Sequence, residues 1–208
     1  MKIKVLNTKI NSMFVVAITL ATAMTLSFSS CRQTAQEKQD VTTVQTKSEP
    51  VISEQEVLDA QKKWGEGIVN IGKIYLEKGD YKTAASNHID EYYGYNMGIV
   101  LFKPTLVFQK QFRIDKEGAL SYFISENPSY VEDHGFAIKP WSNVRWESAG
   151  IKIIGNMAVA MGNYYFTPAK GGEDVKVEYS FAYTKDENGN LRIILHDSHL
   201  PYAPAEKH

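Results

Sequence analysis

The last strand-like stretch of the chain reads LRIILHDSHLPY over residues 191–202, and it closes a series of similar stretches. The earlier members are Phe136 to Glu147, Ile151 to Ile154, Ala158 to Thr167 and Val175 to Thr184. Turn signals separate them at Gly155-Asn156, Gly171-Gly172 and Asn188-Gly189-Asn190. Short hairpin connections favour antiparallel over parallel pairing. The C-terminal part of the chain therefore predicts a meander of antiparallel strands.

The part before the meander has mainly helical signals. Ser53 with Glu56 forms a capping box, and apolar residues then recur at helical spacing as far as Tyr75. Asp80 caps a second predicted helix that reaches about Tyr93, and Asp115 starts a third. Short strands are predicted at 98–105 and 107–113. Helices followed by strands predict an α+β domain, with the N-terminal helices packed in the concave face of a curved antiparallel sheet, so that the whole forms a cone.

The N-terminus has the pattern of a secretory signal. Lysines precede an apolar stretch from Met13 to about Leu26, and the small residues before Cys31 resemble the lipobox of bacterial lipoproteins. We predict a lipoprotein-type signal peptide at 1–30, lipidation of Cys31, and an exported, membrane-anchored protein that faces the periplasm or cell exterior. An ordinary cleaved signal or an uncleaved anchor are the alternatives. Cys31 is the only cysteine, so the fold cannot use an intrachain disulfide.

Charge and composition indicate the type of partner and the bounds of the tether and the domain. Loss of residues 1–30 removes three lysines, which leaves 20 basic against 24 acidic residues and a net charge of −4. This balance disfavours nucleic acid as a partner. Residues 31–52 are polar and predict a flexible tether. Residues 53–205 have the size of one domain.

The closing strand places four polar residues in a row, from His196 to His199. Side chains alternate between the two faces of a strand, so His196 and Ser198 share one face and Asp197 and His199 share the other. His196 and Ser198 either complete a hydrogen-bond network under the sheet or take part in catalysis. A serine-hydrolase triad cannot come from these neighbours, because Asp197 points away from His196 and Ser198, and the chain lacks a Gly-x-Ser-x-Gly elbow.

A metal site built on histidine is disfavoured but stays open. His196 and His199 point to opposite faces of the strand, and zinc sites usually need three or four protein ligands. His88 and His134 are the other histidines of the domain that a composite site could use.

Three further segments carry hydroxyl groups next to apolar residues: Phe102-Lys-Pro-Thr105 at a strand end, Leu120-Ser-Tyr-Phe123 on a helix, and Ala160-Met-Gly-Asn-Tyr-Tyr-Phe166 on a central strand. Tyrosine hydroxyls usually find a partner when buried. Singly, each segment is typical of core packing. Together, they could place several neutral hydroxyls around one small polar ligand.

These segments resemble the iota-class carbonic anhydrases, within the superfamily that resembles nuclear transport factor 2 (NTF2) and the SnoaL cyclases. The resemblance runs from about Val57 to Pro204. It is carried by Val100-Leu-Phe-Lys-Pro-Thr105, Ala119-Leu-Ser-Tyr-Phe123, Glu132-Asp-His-Gly-Phe136, the segment 160–166 and the closing His196 to Tyr202. It implies an NTF2-like or SnoaL-like cone that reversibly hydrates CO2 to bicarbonate.

The resemblance also assigns the expected site. Thr105, Tyr122 and Ser198 match family positions that hold bicarbonate, and His196 matches the first position of a closing His-His-Ser-Ser. We expect the three hydroxyls to bind CO2 or bicarbonate, and His196 to orient the water or accept its proton. No metal cofactor is expected. Zinc or manganese is the alternative, because some members are regarded as using these metals.

This chain departs from the family at the two positions of the closing motif that lie on the face opposite His196 and Ser198, with Asp197 for the second histidine and His199 for the second serine. Strand alternation leaves the face of His196 and Ser198 unchanged. A homodimer through the outer sheet face is also expected. A non-catalytic NTF2-like lipoprotein that binds a small ligand is the alternative function.

Overall fold

The computed structural model describes residues 51–204. The predicted signal peptide, Cys31 and most of the predicted tether lie outside these residues. Among the described residues, the α-helices are α1 (Glu54–Leu76), α2 (Tyr81–Tyr92) and α3 (Lys116–Ile124), with single 3-10 turns at Tyr95–Met97 and Phe136–Ile138. The strands are β1 (Leu101–Lys103), β2 (Trp141–Ile154), β3 (Met157–Pro168), β4 (Val175–Lys185) and β5 (Leu191–His199). No helix in this part of the chain has the length and apolarity that a membrane crossing requires.

The predicted helix starts are confirmed by their caps. The Ser53 side chain accepts from the Glu56 backbone, and the Glu56 side chain accepts from the Ser53 backbone, which completes the capping box. Asp80 and Asp115 cap α2 and α3 by accepting from Thr83 and Gly118.

The five strands form one sheet in the order β1-β5-β4-β3-β2. The three hairpin-connected pairs are antiparallel, as predicted, whereas β1 pairs with β5 in parallel. The predicted α+β fold is therefore confirmed, with one short parallel strand added at the edge of the sheet.

Two strand predictions are wrong. Residues 107–113 form no strand, because the Glu132 carboxylate accepts hydrogen bonds from the backbone N–H groups of residues 108–110 and these groups are then not offered to a neighbouring strand. The stretches from Phe136 and from Ile151 are not separate strands. Residues 136–138 form a 3-10 turn, and β2 then runs from Trp141 to Ile154.

The sheet bends at a β-bulge in β2. The register between β2 and β3 shifts between Ser148 and Gly150, opposite Gly162. A Cβ atom on Gly162 would lie 2.2 Å from the Glu147 carbonyl oxygen, so the close approach of the two backbones requires glycine. On the inner side of the sheet, α1 packs against β2 at Gly65, where a Cβ atom would meet Val144 at 2.9 Å.

Candidate active site

The alternation predicted for β5 is confirmed by burial. His196 and Ser198 are each 2% exposed, whereas the side chains of Asp197 and His199 are 45% and 48% exposed. The inward face of β5 is thus the face on which a site can be enclosed.

Thr105 meets Ser198 at the end of β1. Pairing of Lys103 with Asp197 sets the parallel register, and the Lys103 Nζ donates to the Ser198 carbonyl oxygen at 2.8 Å. Pro104 then ends the strand, since proline has no N–H to donate. The turn brings the Thr105 hydroxyl to 2.7 Å from the Ser198 hydroxyl. Thr105 is half-buried and Ser198 fully buried, so Thr105 is the member of the pair that reaches solvent.

The segment after Thr105 is held by a buried ionic network. The Arg113 Nη2 donates to Asp133 Oδ1 at 2.6 Å, and Ser121 donates to the other oxygen of this carboxylate. Glu132 binds the backbone of residues 108–110. These contacts hold residues 108–110 and Arg113 against Glu132 and Asp133. Because the segment that follows Thr105 is fixed in this way, Thr105 has a defined position.

Two tyrosines add hydroxyls to the pair. Tyr122 on α3 is 7% exposed and stacks on Phe136 at 5.7 Å between ring centroids. Burial raises the pKa of Tyr122 to about 12, against opposing hydrogen bonds from the Leu106 backbone and the Thr105 side chain. Burial also raises the pKa of Tyr164 on β3, against hydrogen bonds from Ser198 and Thr105. Thr105, Tyr122, Tyr164 and Ser198 thus form a cluster of neutral hydroxyls, which we call the hydroxyl cluster.

His196 lies behind this cluster, between two phenylalanines. The sheet register pairs it with Phe102 on β1 and with Phe181 on β4, and both rings stack on the imidazole at 4.8 and 4.1 Å. Burial lowers the pKa of His196 to about 3, so the ring is neutral near pH 7. A ring with so low a pKa is a poor proton acceptor near pH 7, which disfavours the expected role of His196 in taking the proton of water.

Both ring nitrogens of His196 already have partners. Nδ1 lies 2.9 Å from the Tyr93 hydroxyl and Nε2 lies 3.3 Å from the Tyr164 hydroxyl. His88 is elsewhere in the core, packed on Trp64 and Tyr92, and His134 is exposed on a loop. Within residues 51–204, no group of three or more His, Cys, Asp or Glu side chains is placed to hold a metal ion.

The sequence marks segment 160–166 as a source of hydroxyls but assigns no individual site role to Tyr164, and it assigns none to Tyr93 or Trp64. Tyr164 had a usable signal, since it shares the inward parity of Phe166 on β3, whereas its neighbour Tyr165 faces out and donates to Glu147. Tyr93 and Trp64 had none, because their contacts with His196 join segments more than 100 residues apart.

The fold and the hydroxyl cluster together define a class of protein: an α+β domain that, within residues 51–204, presents neutral hydroxyl donors rather than a metal-ligand set. A family model described as metal-independent carbonic anhydrase matches residues 55–200. The chain therefore belongs to the metal-independent carbonic anhydrase family. The predicted resemblance and the expectation of no metal cofactor are confirmed by this membership.

Individual proteins and solved structures are also similar to this chain. A metal-independent carbonic anhydrase of Nostoc sp. (strain PCC 7120 / SAG 25.82 / UTEX 2576) is 46% identical over 154 residues, which cover 73% of this chain and 75% of that protein. The crystal structure of a cyanobacterial iota-carbonic anhydrase complexed with bicarbonate is 43% identical, with a TM-score of 0.72 over 75% of this chain and 96% of that one. A putative dehydratase of the NTF2-like family from Streptomyces avermitilis is 11% identical, with a TM-score of 0.47 over 72% and 96% of the two chains.

Proposed function

We propose that this chain hydrates CO2 to bicarbonate at the hydroxyl cluster, with Thr105, Tyr122 and Ser198 as the groups that bind substrate. The observation that supports these roles is the 2.7 Å contact between the Thr105 and Ser198 hydroxyls, which come from segments far apart in the sequence. Hydroxyls held at fixed positions need little reorganisation when charge develops on a bound oxygen. In a family whose structurally similar member binds bicarbonate, such a pair suits a planar carbonate-like ligand.

The chemistry follows from the change in charge. Water adds to the carbon of CO2, one proton leaves to solvent, and negative charge builds on the substrate oxygens. Hydroxyl donors stabilise that charge more than they stabilise neutral CO2, so they lower the barrier. Because His196 is neutral, it adds no charge of its own that would interact with the substrate oxygens. It fixes the direction of hydrogen bonds behind the cluster.

The test is CO2 hydration by the purified protein, followed by stopped flow with a pH indicator. We expect activity above buffer, and we expect it to survive exhaustive chelation with zinc and manganese substoichiometric by elemental analysis. Activity that is lost on chelation and restored by one metal would contradict metal-free chemistry. Bicarbonate binding without hydration would favour a non-catalytic binding protein.

The chain is further proposed to be an exported lipoprotein anchored through Cys31. The support is the sequence alone: an apolar stretch after basic residues, followed by small residues and the single cysteine. We expect the native protein to partition with membranes and a Cys31→Ala variant to become soluble or to stay unprocessed. Unchanged membrane association of a correctly cleaved variant would contradict the anchor.

A homodimer through the outer sheet face is also proposed. One row of cross-strand neighbours on that face is apolar, from Val159 through Ala182 and Leu195 to Leu101. Met161 lies beside this row and is 57% exposed. Exposed contiguous apolar surface is typical of interaction sites. Light scattering should give a dimer that Met161→Glu weakens, whereas Val131→Glu on a loop should not.

A further inference from the structure

A chain of hydrogen bonds runs through the core behind His196 and ends at the hydroxyl cluster. The Trp64 Nε1–H donates to the Tyr93 hydroxyl oxygen at 3.1 Å, and the Tyr93 hydroxyl lies 2.9 Å from His196 Nδ1. On the other side of the ring, Nε2 lies 3.3 Å from the Tyr164 hydroxyl. All four side chains are at most 2% exposed. Each proton in this chain therefore needs a partner within the protein.

The direction of the first two bonds follows from what each group can do. An indole N–H only donates, so the Tyr93 oxygen is an acceptor towards Trp64. If Nδ1 carried a proton, Tyr93 would accept a second bond, and its own proton would have no recorded acceptor among the described residues. A buried donor without a partner is strongly unfavourable. Tyr93 therefore donates to Nδ1.

The direction of the remaining bonds follows in turn. A neutral imidazole carries one proton, and with Nδ1 accepting, that proton is on Nε2. The Nε2–H then donates to the Tyr164 oxygen. The Tyr164 proton then points away from His196, and the hydroxyls of Ser198 and Thr105, which lie within hydrogen-bonding reach of Tyr164, can accept it because a hydroxyl both donates and accepts. The series of hydrogen bonds from Trp64 to Tyr164 thus directs the Tyr164 O–H towards the other hydroxyls of the hydroxyl cluster.

We propose that Trp64 and Tyr93 are positioning residues that hold His196 as the Nε2–H tautomer, and that Tyr164 is thereby a fourth hydroxyl donor to the substrate. The catalytic part rests on the proposed function of the hydroxyl cluster, whereas the tautomer does not. Bonds that all run in one direction polarise one another in a low-dielectric interior. The Tyr164 O–H is consequently a stronger and better directed donor than an isolated phenol.

The direct test is the 15N NMR spectrum of the histidine rings in the intact protein, with the His196 signals assigned by their loss in His196→Asn. We expect one neutral tautomer at pH 7, with Nδ1 at the chemical shift of an unprotonated ring nitrogen and Nε2 at that of a protonated one. Trp64→Phe keeps an aromatic ring but removes the first donor. We expect it to introduce the Nδ1–H tautomer and to lower kcat about threefold to tenfold, as expected for loss of a single modest hydrogen bond.

Tyr164→Phe should lower kcat more, by about 10²-fold or more, because it removes a donor that meets the developing charge. Tyr183→Phe is the matched control: it removes another buried hydroxyl, near Gln61 and outside the chain from Trp64 to Tyr164. We expect the control to leave the His196 tautomer and kcat unchanged.

The outcomes separate the two claims. A wild-type His196 that is protonated on Nδ1, or on both nitrogens, overturns the proposed tautomer and the proposed direction of the hydrogen bonds, whatever the activity. An Nε2–H tautomer with full activity in Tyr164→Phe overturns the role of Tyr164 as a donor. Absence of CO2 hydration by the wild type would remove the proposed function, while the tautomer would still be decided by the spectrum. If Trp64→Phe does not fold, the wild-type spectrum and Tyr164→Phe decide the two claims without it.

Discussion

The two faces of β5 present four consecutive polar residues to two different environments. On the inner face, His196 and Ser198 are buried and hydrogen-bonded to side chains from other elements. On the outer face, His199 lies 3.0 Å from the Glu178 carboxylate, and Asp197 lies 3.9 Å from the Lys103 ammonium, both half-exposed. An exposed ion pair such as that of Lys103 with Asp197 contributes about 0–1 kcal/mol. Strand alternation therefore separates a preorganised set of groups from a solvated one within four residues of sequence.

The largest expected difference between the faces is in catalysis. Ser198→Ala removes an inner hydroxyl and should lower kcat about 10²–10³-fold, as loss of one donor does in known oxyanion sites. Ser180→Ala is the matched control, since Ser180 pairs with Asp197 across the outer face. Stopped-flow CO2 hydration by both variants, with circular dichroism to verify the fold, makes the comparison. Equal activities would mean that the hydroxyl cluster is not where substrate binds.

The next effect is on stability as a function of pH. Burial lowers the pKa of both His196 and His88 to about 3 in the folded protein, against about 6.5 in the unfolded chain. Below pH 6.5 the unfolded state therefore binds more protons than the folded state. The contribution of the two histidines to the free energy of unfolding is complete above pH 6.5 and is lost as pH falls towards 3. Each histidine should lower the free energy of unfolding by on the order of 2 kcal/mol between pH 7 and pH 5.

Urea unfolding of the wild type and of His88→Leu at pH 7 and pH 5 measures the contribution of His88 to this pH dependence. His88 sits among aromatic rings with no hydrogen-bond partner for its Nε2 in the described part of the chain, so an apolar side chain suits its site. The variant should lose about half of the pH dependence. An unchanged dependence would mean that His88 is already protonated, or already accessible, in the folded state.

A smaller effect is the coupling within the inner face. Because the Thr105 and Ser198 hydroxyls contact each other at 2.7 Å, Thr105→Val and Ser198→Ala should be non-additive in kcat/KM. The expected interaction energy is on the order of 0.5–3 kcal/mol. Thr105→Val combined with Ser180→Ala, on the other face, should be additive. Coupling of the same size in both cycles would indicate a general loss of structure rather than a specific pair.

The sequence predicted those features that depend on local pattern. The capping box at Ser53 and the alternation along β5 are set within a few residues, and both are confirmed. The conformation of residues 107–113 was not predictable in the same way, because it depends on Glu132, which lies more than 20 residues further along the chain. The parallel pairing of β1 with β5 likewise joins segments about 90 residues apart.

The residues of the candidate site likewise fall into those that a local pattern predicts and those that depend on distant parts of the chain. Period-two alternation is enough to place His196 and Ser198 together, and the family resemblance supplied Thr105 and Tyr122. Their assembly depends on sheet register and on where the helices pack. Tyr93 reaches His196 only because α2 ends at Tyr92 beneath β5, where Tyr93 also forms a bridge to Ile193. No local pattern in the sequence reports such a contact.

The smallest expected effect is on the outer face, where the chain departs from the family pattern. Asp197→Asn removes a charge 3.9 Å from the Lys103 ammonium, and His199→Ser removes a ring that contacts Glu178. Each should change stability by no more than about 1 kcal/mol, because half-exposed pairs are screened by solvent. Neither side chain faces the hydroxyl cluster, and Lys103 still donates to the Ser198 carbonyl oxygen through its own Nζ. CO2 hydration by both variants should therefore stay within about twofold of wild type, in line with the near-neutral effect typical of surface substitutions. Loss of activity in either variant, with Ser198→Ala silent, would show that the catalytic face of β5 is the outer one.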